Sequence, residues 1–175
     1  LNATEMAMLG VLISFAPLFT YSLDLAISKV TTRFWFSSEK FDNLTHYFSQ
    51  IIKIRFWLYF YLIPVVLLLS VFFWLDFAPN DKTPLISIAS LIIFGIAESI
   101  SLTISSFARL QNSPNKLVKI KFCSTFAALT LAIFCFYLKL FDYVFFVFSI
   151  THFIVIYFVL MKYFHDKNIS QDFSR

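Results

Sequence analysis

Apolar residues fall along this chain in five long blocks divided by shorter polar stretches. The blocks run over Met6–Ser28, Phe56–Leu75, Pro84–Ala108, Leu117–Leu138 and Tyr143–Met161. Each is about 20 residues long, the length of helix that crosses about 30 Å of hydrocarbon. The blocks are apolar all round rather than alternating, which argues against barrel strands and for helices that satisfy their own backbone. The expected fold is an all-α integral membrane protein, a single membrane domain over residues 1–175 with about five transmembrane helices.

Composition agrees with that pattern. The chain is 59% hydrophobic and only 14% charged, whereas soluble domains carry about a quarter charged residues. Twenty-five phenylalanines against two glycines suit long lipid-facing helices better than a tight soluble core. Charge then orients the blocks. Twelve of the fourteen basic residues, among them Lys29, Arg33, Lys40, Lys53, Arg55, Arg109, Lys116, Lys119 and Lys121, fall in alternate connections, at the block ends beside them or in the C-terminal tail. Only Lys82 and Lys139 fall on the other side. By the positive-inside rule the N-terminus lies outside and the C-terminus in the cytoplasm. The opening LNATEMAMLG has no basic residue ahead of its apolar block, which predicts a preceding helix.

The connection Lys29–Arg55 places Phe41, Leu44, Phe48, Ile51 and Ile52 at helical spacing. It predicts an interfacial helix over 38–55, with Trp35 and Trp57 as headgroup-level anchors. Pro17 and Pro64 sit near the middle of their blocks and free backbone carbonyls there. Ser124, Ala128 and Ala132 form a small-residue row suited to close helix packing.

Polar residues inside the blocks carry the candidate chemistry. Ser87, Ser90, Phe94, Glu98, Ser101 and Ser105 recur at steps of three and four, one helical face. A carboxylate at that depth cannot snorkel, and facing lipid would cost several kcal/mol. Its partner must come from another helix, a ligand or a bound proton. Asp24 closes the first block, where it either reaches the interface or pairs locally with Lys29.

The chemistry of soluble enzymes is poorly represented. There is neither a Gly-rich phosphate loop nor a cluster at metal-ligand spacing, and no nucleic-acid motif. Cys123 and Cys135 lie on different faces of one helix and read as small buried apolar residues. His152 reads as a packing residue within the fifth block, and His46 and His165 lie in connecting segments.

Two stretches resemble a known family. LGVLISFAPLFTYSLDLAISKVTTRFWF is similar to the second helix of bacterial polysaccharide flippases of the multidrug/oligosaccharidyl-lipid/polysaccharide exporter superfamily. SFARLQNSPNKLVKIKFCSTFAALTLAIFCFYLKLFDYVFFVFS resembles that family's later spans. Asp24 stands where the family usually has glycine, and LKLFDYVFF lacks the glycines that normally precede the last span. The resemblance implies helices two to six of an incomplete six-helix lobe in the bacterial cytoplasmic (inner) membrane, partnered by a missing helix or a second lobe. It implies transport rather than catalysis: alternating-access flipping of a polyprenyl-diphosphate-linked oligosaccharide for surface polysaccharide, with no cofactor and with protons or sodium ions as coupling ions. Lys29, Arg33 and Arg109 would meet the diphosphate. Glu98 would line the cavity with Ser101, Ser105 and Asp24. A membrane-embedded polysaccharide polymerase, a drug or lipid exporter, and a non-transporting helical subunit are the alternatives.

Overall fold

A computed structural model describes residues 3–25, 27–30, 33, 44–77, 84–110 and 114–172. The predicted anchor Trp35, the first part of the predicted interfacial helix (38–43) and the connection 78–83 lie outside them. Every described element is helical. Helix α1 spans Ala3–Asp24, α2 Leu44–Phe77, α3 Pro84–Leu110, α4 Pro114–Tyr137 and α5 Val144–Asp172, with a short 3-10 turn over Phe141–Tyr143 ahead of α5. Three stretches are long and apolar enough to cross a membrane: His46–Phe72 in α2, Pro84–Arg109 in α3 and Val144–Lys162 in α5. Leu9–Asp24 and Lys121–Tyr137 are shorter apolar helical stretches.

Local chemistry explains several boundaries. Both α3 and α4 begin on proline, whose fixed φ and missing N–H suit a first helical turn. Helix α1 ends where Leu25 takes a left-handed conformation (φ 44°) while its N–H still bonds to the Tyr21 carbonyl at 3.1 Å. Helix α4 ends in a Schellman motif. The Leu140 N–H reaches the Cys135 carbonyl and the Lys139 N–H reaches that of Phe136, both at 3.0 Å. Lys139 (φ 60°) occupies the left-handed position that glycine normally takes. From Leu44 onward the segment predicted as interfacial is continuous with the second apolar block in one 34-residue helix.

Helix α3 is the hub, packed against α1, α2, α4 and α5. Its apolar stretch is 56% buried, against 11% for that of α2 and 28% for that of α5. The polar face predicted along it turns inward, with Ser87, Ser90, Ser101 and Ser105 all buried. The small-residue row of α4 is buried too, at Ser124, Ala128 and Ala132. Cys123, by contrast, is exposed rather than buried, because its neighbour Ser124 occupies the inward face of that turn.

Two apolar clusters surround the hub. One gathers Leu12, Ala16, Ile88, Leu91, Ile92 and Phe145. The other gathers Leu23, Phe48, Tyr59, Ile104 and Phe107 with their neighbours; here Phe48 meets Phe107 edge-on at 4.4 Å between ring centroids. Helices α1 and α3 approach closely at Gly95. A Cβ there would lie 3.0 Å from Leu23 Cδ1 and 3.1 Å from the Phe19 carbonyl carbon. The end of α1, the start of α2 and the end of α3 therefore meet at one end of the bundle, termed the basic end.

Candidate functional site

Two polar clusters are built on this frame. The first lies at the basic end and centres on Arg55, which is 1% exposed. Its Nη2 donates to Asp24 Oδ1 at 2.6 Å and to Ser28 Oγ at 2.7 Å, and Ser28 Oγ itself donates to Asp24 Oδ1 at 2.6 Å. Ser28 lies four residues after Asp24 and closes this triangle. On the other side Arg55 Nη1 reaches Tyr59 Oη at 3.4 Å, and Tyr59 shares a hydrogen bond with Ser99 of α3. Ser106 Oγ of α3 donates to the Ser28 carbonyl at 3.2 Å. Three helices and the segment after α1 are thus tied through one guanidinium.

Asp24 therefore neither snorkels nor pairs with Lys29, whose side chain is exposed. Its partner lies 31 residues away, at the end of the segment that the sequence predicts as an interfacial helix.

The second cluster lies deeper. Glu98 of α3 accepts from Lys121 Nζ at 2.8 Å through Oε1 and faces His152 Nε2 at 3.3 Å through Oε2. Lys121 comes from α4 and His152 from α5, so the carboxylate finds two partners on other helices. His152 is 4% exposed and stacks on Phe94 and Phe148, at 5.7 and 6.2 Å between centroids. Burial and stacking hold the ring against the carboxylate.

Each cluster borders a cavity. A chamber of about 450 Å³ between α1, α3 and α5 is walled by Ile13, Pro17, Tyr21, Phe94, Phe145 and Phe148, with Glu98 as its carboxyl group. A vestibule of about 650 Å³ at the basic end is lined by Asp24, Ser28, Lys29, Ser105, Ser106 and Arg109. Tyr21 and Leu102 belong to both walls. Both volumes fall within the range of about 300–1,000 Å³ typical of small-ligand sites.

No protein-family model, curated protein or solved structure matches this chain.

The residues expected from sequence separate into groups. Lys29, Arg109, Ser105 and Asp24 share the vestibule, and Glu98 borders the chamber. Arg33 is exposed and lines neither cavity. Ser101 is buried, lines neither cavity, and its Oγ has no hydrogen-bond partner among the described residues. Sequence reasoning missed Arg55, Lys121 and His152 as partners. The available signal was that Arg55 and Lys121 stand next to or within apolar blocks, where an unpaired charge is costly.

Electrostatically the cavities differ. Asp24 is balanced by Arg55, while neither Lys29 nor Arg109 is in an ion pair among the described residues. The vestibule therefore carries surplus positive charge. In the chamber Glu98 is matched by Lys121. A guanidinium and an ammonium in one vestibule can hold a phosphate-type anion, whereas the hydroxyls of Ser28 and Ser106 already donate to Asp24 and to the Ser28 carbonyl. A carboxylate among aromatic rings can accept hydrogen bonds from a ligand's hydroxyls.

Proposed function

We propose that this chain is a five-span portion of a flippase-like membrane transporter. It binds a polyprenyl-diphosphate-linked oligosaccharide at its cytoplasmic face and passes it to the outer leaflet by alternating access. The basic end is the cytoplasmic end on this reading, the N-terminus is outside, and the five helices form part of a six-helix lobe. One observation carries the proposal: a cationic vestibule and an aromatic chamber holding Glu98 share a wall. An anionic lipid headgroup is drawn to Lys29 and Arg109 by charge, and its sugars find an acceptor at Glu98. The resemblance to polysaccharide flippases and the distribution of basic residues along the chain support the same reading. The coupling ion is a proton or sodium ion, with Glu98 as its carrier.

The test is export in cells that depend on the complete transporter. Glu98→Gln keeps the shape and removes the negative charge, so surface glycan should fall about tenfold or more while protein inserted in the membrane stays constant. Unchanged surface glycan would refute the assignment of Glu98, and normal export by a Lys29→Ala/Arg109→Ala double variant would refute that of the vestibule.

A further inference from the structure

We infer that Tyr21 is the specificity-determining residue of this route: from the junction of the two cavities its ring favours a ligand whose anionic part sits on Lys29 and Arg109 in the vestibule and whose hydroxylated part enters the chamber. The inference rests on the reading above and assigns each cavity its share of one ligand.

Tyr21 and Leu102 are the residues common to both walls. The Tyr21 backbone is fixed, because its carbonyl accepts the Leu25 N–H and α1 is clamped on α3 at Gly95. Its side chain is not fixed: at 67% exposed it is one of the least packed aromatics of the bundle. Rotation of such a ring takes picoseconds to nanoseconds and needs no helix movement. Tyr21 is thus a mobile aromatic on a rigid mount at the junction.

The two sides differ in net charge. On the vestibule side stand Lys29 and Arg109 without carboxylate partners among the described residues. On the chamber side stands Glu98, already matched by Lys121, so a phosphate passing Tyr21 would leave two cations and approach a carboxylate. The chamber offers hydrogen-bond acceptors instead. Pro17 lacks the N–H that would bond to the Ile13 carbonyl, and both residues line the chamber with Glu98. Aromatic faces complete the wall. A sugar ring, with hydroxyl donors around an apolar face, fits this combination, and the Tyr21 ring is placed to lie against the first ring beyond the phosphate.

Binding to the purified chain in micelles of a sugar-free detergent tests this. The probes are a short-chain prenyl diphosphate and the same molecule carrying one sugar. The wild type should bind the sugar-bearing probe about tenfold more tightly, the scale of one well-placed aromatic contact with its hydrogen bonds. Tyr21→Ala should erase that gain and leave the sugar-free probe unaffected, while Tyr21→Phe should keep most of it. Because Tyr21 is largely exposed, both variants should elute and melt like the wild type. Three outcomes would overturn the inference: equal loss for both probes in Tyr21→Ala, a sugar gain that survives it, or the absence of a gain in the wild type. If the sugar-free probe binds and is lost on Arg109→Ala, the transport reading stands even where the inference falls. If neither probe binds, both fall.

Discussion

Removing either half of the Asp24–Arg55 pair should damage the fold, and by unequal amounts. Arg55 is 1% exposed on its side chain and lines neither cavity. Asp24 is 6% exposed on its side chain but borders the vestibule, where water can reach a stranded carboxylate. Breaking a buried pair by deleting one partner costs about 3–5 kcal/mol because the survivor keeps an uncompensated charge. Asp24→Asn leaves the guanidinium with neutral oxygens only, so a loss of about 4 kcal/mol is expected. Arg55→Met leaves a carboxylate that retains the Ser28 donor and gains hydration, so the loss should be about 2 kcal/mol. The double variant strands neither charge, and its loss should be smaller than the sum by about 2 kcal/mol or more. Unfolding in mixed micelles, titrated with a denaturing detergent and followed by tryptophan fluorescence, measures all four proteins. Single losses below about 1 kcal/mol that simply add would refute the idea that this pair ties α1, α2 and α3 together.

Two further predictions concern the backbone. Gly95→Ala forces a methyl against the Phe19 backbone and Leu23 and should cost about 1–3 kcal/mol. Gly10→Ala meets nothing within 4 Å and should be neutral or stabilising by up to about 1 kcal/mol; equal effects at both sites in the same titration would count against the close approach of α1 and α3. Lys139→Gly relieves a left-handed lysine at the end of α4 and should stabilise by about 0.5–1 kcal/mol, visible as a raised melting temperature. A lowered one would mean that the lysine side chain contributes more than its backbone costs.

The helices were legible in sequence because each depends on its own residues. An apolar block must close its backbone hydrogen bonds internally, so α2, α3 and α5 cover the second, third and fifth blocks almost end to end. The inward face of α3 was legible for a related reason: serines and a carboxylate at steps of three and four on an apolar helix have to turn from lipid toward other helices. The row of Ser124, Ala128 and Ala132, at four-residue steps, likewise marked a packing surface from its spacing alone. Pairing was a different matter. A count of basic residues treats Arg55, Lys29 and Lys121 alike, yet one is sealed in the core, one lines a vestibule and one reaches inward to Glu98. Those fates depend on which helix lies opposite, across separations of 31 residues for Asp24–Arg55, 23 for Glu98–Lys121 and 54 for Glu98–His152. Hydropathy is local and additive along the chain, so sequence alone determined the helices and their buried faces. Charge pairing requires two side chains to meet within hydrogen-bond reach, so only the tertiary structure decided which ones did.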